Sequence, residues 1–305
     1  MQTLLDGNKL TADNNLSLNH VQKRYSFVIA VLSVVFLVGC ERPETGFLVK
    51  DGKTVYVTLH PSVGARPKTK SIQADAATFE QITPRKPKDR RSFKYAKDAS
   101  QVFIGNSKRP YLIKDGDPKT FTVLTLDGKY AKDKSRVYYL GTPLENADPS
   151  TFEVLDKPYA KDANNVYAGI IKMDDVDAAT FRVLHSGSAY FVILHNGPLQ
   201  KLEDRELKRL KSGAKIYGWA CDENACYYAE NRIHSANLDT FQVLNSRYAK
   251  DDANVFYAKN GHVSLVRGAD AATFESSASS SVQGQDKYRE FDRGKPVRNT
   301  DTHQH

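Results

Sequence analysis

The chain has 305 residues, with 44 Lys and Arg against 36 Asp and Glu, which gives a formal net charge of +8. This length is sufficient for one repeat domain with a sizeable core. The positive excess is mild, so it favours anionic envelope surfaces as a partner and argues against nucleic-acid binding.

A secretion signal is the first element predicted along the chain. Lys23-Arg24 precede an almost wholly apolar run from Tyr25 to Val38, which is shorter than the roughly 20 residues needed to span a bilayer. The run ends in Leu37-Val38-Gly39-Cys40. This ending resembles the lipobox of bacterial lipoproteins, in which cleavage precedes a cysteine whose thiol is acylated.

The lipobox resemblance implies a lipoprotein signal peptide over residues 1–39, lipidation of Cys40 and a tether over residues 40–47. The alternative is a plain signal peptide with an incidental cysteine. Glu41, rather than Asp, follows the cysteine, which by the same resemblance favours sorting to the outer membrane. We therefore expect a protein of the bacterial cell envelope that is anchored by lipid and faces the periplasm.

Two sequence blocks alternate between residues 48 and 275, and their period of about 30 residues indicates tandem repeats. The first block is Tyr-Ala-Lys-Asp, followed by a short polar turn and a Val-aromatic pair. Since Asp favours turns and β-branched and aromatic residues favour strands, the block predicts a hairpin. About seven copies, some degenerate, open at Leu48, Tyr95, Tyr130, Tyr159, Tyr190, Trp219 and Tyr248.

The Asp of this block is predicted to be a structural turn residue. The alternative is calcium binding, because Asp162 with Asn164 and Asn165 offers oxygen ligands. A single turn supplies too few oxygens for that ion, so the structural role is preferred. The candidate turn residues are Asp51, Asp98, Asp133, Asp162, Asp222 and Asp251.

The second block is Asp-x-x-Thr-Phe. Asp is a good helix N-cap, and the Pro that follows it in two copies suits the first helical position. The block therefore predicts one helical turn that places its Phe in the core and leads into a strand. Its copies begin at Asp75, Asp117, Asp148, Asp177 and Asp270, with a shortened copy at Leu238.

Three segments depart from the repeats. Residues 84–91 hold five basic residues and two prolines, and we predict a solvated insertion, with an electrostatic docking loop as the alternative. Residues 198–211 have leucines near helical spacing, which predicts a short helix packed on the repeats, or alternatively a partner-binding helix. Residues 276–305 lack apolar periodicity and are predicted to be a disordered tail.

Two cysteines straddle the turn of the Trp219 copy. Cys221 and Cys226 occupy the positions that hold Lys and Val in other copies. Facing each other across a hairpin in an oxidising compartment, they would form a disulfide. Free thiols and a metal site are the alternatives, although no His or further Cys lies at ligand spacing.

The repeated aromatic residues have two readings as well. They could form a stacked core, which is preferred for residues that recur at a structural period, or an exposed ladder for glycan or peptide. The sequence contains no serine-hydrolase, metalloprotease or nucleotide-loop motif. We therefore predict no catalytic residue, no metal and no cofactor.

Two segments resemble a known repeat family, Lys161-Asp-Ala-Asn-Asn-Val-Tyr167 and Lys132-Asp-Lys-Ser-Arg-Val-Tyr-Tyr139. They are similar to the bacterial DKNYY family, and the resemblance covers residues 48–275. It implies a secreted or lipid-anchored protein without a settled activity, so it transfers no catalytic residues. The expected fold is all-β, with tandem short hairpins and one helical turn each, in a solenoid-like stack or an open propeller-like ring.

Three functions are compatible with this sequence. The first is a non-catalytic, membrane-tethered binding module with an unidentified protein partner. The second is a periplasmic immunity lipoprotein that neutralises a secreted antibacterial toxin. The third is an envelope hydrolase whose site has no recognisable motif.

Overall fold

The computed structural model describes residues 45–58, 66–82, 93–105, 109–190, 215–277 and 280–297. They lie in one compact unit of the chain, residues 44–305. The predicted signal peptide, Cys40, the basic segment 84–91 and the predicted helix 198–211 lie outside the described residues. Within the described ranges, no helix is long and apolar enough to cross a membrane.

The described residues form seven antiparallel sheets and contain no α-helix, which confirms the all-β prediction. Sheet I contains β1 (Gly46–Lys50), β2 (Lys53–Thr58) and β3 (Lys68–Ser71). Sheet II contains β4 (Glu80–Ile82), β5 (Lys94–Lys97), β6 (Val102–Gly105) and β7 (Pro110–Ile113). Sheet III contains β8 (Thr122–Val123), β9 (Tyr130–Lys132), β10 (Val137–Tyr139) and β11 (Thr142–Pro143).

The remaining sheets follow in chain order. Sheet IV contains β12 (Glu153–Val154), β13 (Tyr159–Lys161), β14 (Val166–Ala168) and β15 (Ile171–Lys172). Sheet V contains β16 (Arg182–Tyr190), β17 (Lys215–Cys221), β18 (Cys226–Tyr228) and β19 (Asn231–Arg232). Sheet VI contains β20 (Gln242–Val243), β21 (Tyr248–Lys250), β22 (Val255–Lys259) and β23 (His262–Leu265). Sheet VII contains β24 (Gln283–Gln285), β25 (Glu290–Asp292) and β26 (Lys295–Pro296).

The register of the central hairpin explains why both faces of a sheet are apolar. In sheet IV, Ala160 pairs with Tyr167 and Tyr159 pairs with Ala168, so each pair combines a small and a large side chain. Successive residues of a strand point to opposite faces. Tyr167 therefore contacts the ring of Phe152 before the sheet, at 6.0 Å between centroids, whereas Tyr159 contacts Phe181 after it, at 5.3 Å.

Each Phe of the second block lies between aromatic rings of two successive sheets. Phe181, for example, lies 5.3 Å from Tyr159 of sheet IV and 6.3 Å from Tyr227 of sheet V. The same sandwich recurs at Phe121, Phe152, Phe241 and Phe274. Most of these rings are buried and that of Phe241 is partly buried, so they form the core between units rather than an exposed ladder.

The polar end of the tyrosine that opens a first block reaches the next unit. Tyr159 donates its hydroxyl hydrogen bond to the carbonyl oxygens of Gly218, at 2.8 Å, and Ala229, at 3.1 Å. Trp219 replaces Tyr in sheet V, and its indole N–H donates to the carbonyl of Asn245 at 3.0 Å. These buried donors are thus satisfied by backbone of the following unit, as buried polar groups require.

The prediction that Tyr190 opens a unit of its own is wrong. Tyr190 is the last residue of β16 and pairs with Lys215 at the start of β17, the strand that contains Trp219. The second block that ends at Phe181 therefore leads directly into the Trp219 unit. Tyr190 falls on the sequence period only because an insertion of nearly one period separates the first two strands of sheet V.

Both predicted ends of the repeat domain need correction. β1 begins at Gly46, and Phe47 is only 2% exposed, so the tether predicted over 40–47 stops before this strand. The disordered tail predicted from residue 276 is wrong for 280–297, which contain sheet VII. Phe291 of that sheet is 1% exposed and packs 5.6 Å from Phe274.

The sequence hides sheet VII because three residues of its first block are replaced. Gln283, Gly284 and Gln285 stand in the Tyr, Ala and Lys positions. A Cβ atom at Gly284 would collide with the ring of Phe274, so this unit needs Gly where the others accept Ala. The hydrophobic pattern that marks the other units is therefore lost here.

We predict that Phe181→Ala lowers the free energy of unfolding by about 3–5 kcal/mol, because it opens a cavity between two sheets. Urea denaturation of parent and variant measures this loss. The matched control is Leu126→Ala, since Leu126 is 68% exposed and should change stability by less than about 0.5 kcal/mol. Similar losses for the two variants would contradict the role of the aromatic sandwich.

Candidate functional surface

A buried Asp closes the turn between the second and third strands of a regular unit. Asp162 is 3% exposed. Its Oδ1 accepts the backbone N–H groups of Asn164, at 2.8 Å, and Asn165, at 2.7 Å. Its Oδ2 accepts the N–H of Asp148 at 3.0 Å, the first residue of the preceding second block. One carboxylate therefore joins two turns that are separate in sequence.

The second block also accepts a hydrogen bond from the turn of the first block. Thr151 Oγ1 accepts the N–H of Ala163 at 3.2 Å and donates to Asp148 Oδ2 at 2.8 Å. The block therefore forms a turn centred on Asp148. It does not form the predicted helical turn. We call the two linked turns the double turn.

The double turn recurs along the chain, and in one copy Asn237 takes the place of the Asp that begins the second block. The residue whose carboxylate accepts the N–H of the preceding block is Asp98, Asp133, Asp162, Asp222, Asp251 or Asp286. The corresponding threonines are Thr78, Thr120, Thr151, Thr180, Thr240 and Thr273.

Asp51 lies in a turn of a different kind, whereas Asp286, which falls in the predicted tail, is a double-turn residue. Asp51 is exposed and forms, with Gly52, a two-residue hairpin turn in which both residues have positive φ, 51° and 70°. Such turns favour Asp-Gly. Asp286 was missed, yet its Oδ1 accepts the N–H groups of Tyr288 and Arg289. The signal that could have found it is the aromatic Phe291 five residues later.

Hydrogen bonds lower the pKa of four of the double-turn carboxylates. Burial raises the pKa of Asp162, but the N–H donors of Asp148, Asn164 and Asn165 outweigh burial and lower it below the ordinary value of 3.8. The pKa values of Asp98, Asp133 and Asp286 are lowered in the same way. Each of these carboxylates is surrounded by hydrogen-bond donors and therefore has a structural role.

Two open depressions on the described surface are large enough to hold a ligand. One, of about 490 Å³, lies on the outward face of sheet VII and is lined by Gln283, Gln285 and Glu290 among others. Sheet VII is the last sheet among the described residues, and most side chains around this depression are polar.

The other depression, of about 370 Å³, lies between the last strands of sheets V and VI. We call it the edge groove. Phe256 and Ile233 form its buried floor, and its rim is polar. Its lining is Asn231, Arg232, Ile233, His234, Ser235, Phe256, His262, Val263, Ser264 and Leu265. It is the candidate functional surface because it combines an apolar floor with a few polar groups, as binding sites do.

Comparison with protein-family models gives a match to the DKNYY family over residues 11–142 and 130–295. The chain belongs to the DKNYY family. The second match extends through sheet VII, beyond the limit of residue 275 expected from the sequence pattern. Searches of curated proteins and of solved structures found no match.

The disulfide predicted for this DKNYY protein is confirmed. Cys221 and Cys226 are bonded and directly opposite each other in the β17–β18 register. In neighbouring units the Lys at the Cys221 position donates from Nζ to a carbonyl of the next second block, as Lys161 does to Ala178 at 3.0 Å. The disulfide therefore replaces a link between units with a link within one hairpin.

Other titratable groups of this DKNYY protein form no metal cluster in the part of the chain that the structure describes. Within those residues, no group of three or more His, Cys, Asp and Glu could hold an ion. His234 and His262 line the edge groove instead.

We predict that Asp162→Ala destabilises the fold by about 2–4 kcal/mol, because it leaves N–H donors of two turns without their acceptor. Thermal and urea denaturation measure the loss. The control is Asp156→Ala in the same unit, an exposed position where a change within about 0.5 kcal/mol is expected. Equal melting temperatures for Asp162→Ala and the parent would disprove the role of the double turn.

We also predict acid destabilisation. A carboxylate whose pKa is lowered by folding stabilises the protein above its unfolded pKa, and that contribution is lost as pH falls through the folded pKa. The free energy of unfolding should therefore fall below pH 3.8, the ordinary value for these groups. Urea titrations across the acid range measure the slope, which should be shallower in Asp162→Asn. An unchanged slope in that variant would refute the assignment.

Proposed function

We propose that this DKNYY protein is a lipid-anchored, non-catalytic binding protein of the bacterial cell envelope. The observation that carries the proposal is the double turn. Because the recurring carboxylates are saturated by backbone donors, they hold the units together and are not free to act on a substrate. The residues that vary between units lie on the exposed surface.

The residue after each double-turn Asp illustrates this division. It is exposed in every unit that has the double turn, and its charge changes along the chain. The residues in order are Ala99, Lys134, Ala163, Glu223, Asp252 and Lys287. A constant scaffold with variable exposed positions is the arrangement by which repeat proteins recognise partners.

The envelope location is supported by two features of different kinds. Leu37-Val38-Gly39-Cys40 resembles a lipobox. The Cys221–Cys226 disulfide favours an oxidising compartment such as the periplasm, because the cytosol keeps thiols reduced. By the sorting resemblance, Glu41 favours the outer membrane.

The binding role is supported by the edge groove. Arg232, His234 and His262 give it positive or titratable groups around an apolar floor. The partner is a protein in this proposal, and a toxin neutralised by an immunity protein would be one special case of such a partner.

We predict that Cys40 carries the acyl group. Metabolic labelling with radioactive palmitate should mark the parent chain, and Cys40→Ser should remain unlabelled and leave the membrane fraction. Cys221→Val is unsuitable as a control because it breaks the disulfide, so the double variant Cys221→Lys with Cys226→Val serves, since it restores the residues of other units. Labelling that persists in Cys40→Ser would contradict the anchor.

The binding proposal is tested by affinity capture of the full chain after crosslinking in intact cells. A specific envelope protein should be captured with the parent and also with the double cysteine variant. Capture of no protein at all by the anchored chain would count against a binding function.

A further inference from the structure

The backbone of β23 has hydrogen-bonding groups at the edge of sheet VI that no described residue bonds. The N–H of Val266 donates to the carbonyl of Val255 at 2.8 Å, which sets the phase of the β22–β23 ladder. Residues of an antiparallel strand alternate between bonding their neighbour and pointing away from it. The N–H and C=O groups of Val263 and Leu265 therefore point outward, where β23 is the last strand among the described residues.

The last strands of sheets III, IV, V and VII have the same phase but a protected edge. Equivalent hydrogen bonds run from Leu144, Met173, Ile233 and Val297 to the strand that precedes the last one in each sheet. The residues that correspond to Leu265 are therefore Pro143, Lys172, Arg232 and Pro296. Proline removes the outward N–H, and charged side chains discourage further pairing.

β23 lacks both kinds of protection at its outward positions. It has four residues, whereas β11, β15, β19 and β26 have two. Leu265 is 47% exposed. Two other last strands have four residues: β3 is polar and contains two lysines, and β7 is mostly buried and begins with Pro110. Long, exposed, apolar edges invite strand addition, so β23 stands apart from its counterparts.

The groove beside this edge has a definite charge preference. Its lining contains Arg232, His234 and His262 and no carboxylate. The carboxyl of Glu230, which interacts electrostatically with His262, is partly buried, and burial raises its pKa. An Arg in such a groove pairs well with a partner carboxylate. The complementary side chains are therefore acidic ones.

We propose that β23 binds an extended, acidic segment of a partner protein, which adds to sheet VI as a fifth strand. In strand addition the backbone supplies affinity and the flanking side chains supply specificity. Here the outward groups of Val263 and Leu265 would bond the added strand, and Arg232 would pair with its carboxylates. This inference rests on the proposed binding function and names its surface and the class of its partner.

The test compares Leu265→Pro with Lys172→Pro in the full chain. Proline already occupies this position in β11 and β26, so both variants should fold, which thermal denaturation checks. Two labelled peptides of about ten residues are the probes, one alternating valine with glutamate and one alternating valine with lysine. Fluorescence anisotropy measures their binding.

The glutamate peptide should bind the parent and Lys172→Pro equally, and Leu265→Pro should weaken it at least about tenfold, a loss expected from one hydrogen-bond donor and the steric block. Arg232→Glu should weaken the glutamate peptide and favour the lysine peptide. Absence of binding by the glutamate peptide, or equal weakening in the two proline variants, overturns the inference.

Two further outcomes identify the reason for a failure. Concentration-dependent dimerisation of the parent that Leu265→Pro abolishes, measured by analytical ultracentrifugation, would show a second copy at the edge and overturn the acidic-segment proposal. If the partner captured from cells binds Leu265→Pro as well as the parent, the edge is excluded while the binding function stands. Slowed hydrogen exchange at Val263 and Leu265 in the captured complex would support the edge.

Discussion

The fold depends on one recurring interaction, a buried carboxylate shared by two turns. A buried charge is costly unless several donors surround it, and Asp162 gathers N–H groups from its own turn and from the turn at Asp148. Because the donors come from both turns, neither block can form its native shape without the other. This mutual dependence is a physical reason for the two blocks to recur together.

The shared carboxylate and the aromatic sandwich act at different depths of the same junction. The rings of Tyr159, Phe181 and Tyr227 fill the apolar space between sheets IV and V, while the double turn fixes one rim of that junction. Units that contact mainly their neighbours tolerate local change. Sheet V shows this tolerance, because Asp222 still accepts the N–H of Asp177 across a sequence separation of 45 residues.

The double-turn carboxylates are used in these junctions. In the proposed binding function, a partner is therefore recognised by groups that the junctions leave exposed. The last strands of the sheets are one such feature, and in sheets III, IV, V and VII the position equivalent to Leu265 is blocked. Pro143 and Pro296 lack a donor, and Lys172 and Arg232 carry charge. Against that background, the exposed Leu265 of β23 is a departure from the rule that the other edges follow. The adjoining edge groove contains Arg232 and no carboxylate in its lining, which is the reason for proposing an acidic partner at this edge.

The sequence by itself determined the repeat period, the central hairpins, the turn-forming Asp and the facing cysteines. These features depend on contacts within a few residues, such as Asp162 with Asn164 and Asn165, so their signals are local. Only the tertiary structure showed that the same Asp also binds the preceding block. It also assigned Tyr190 to the Trp219 unit and found sheet VII, where the ring of Phe274 requires Gly284. Those outcomes depend on contacts between residues far apart in the chain, which local composition and periodicity do not encode.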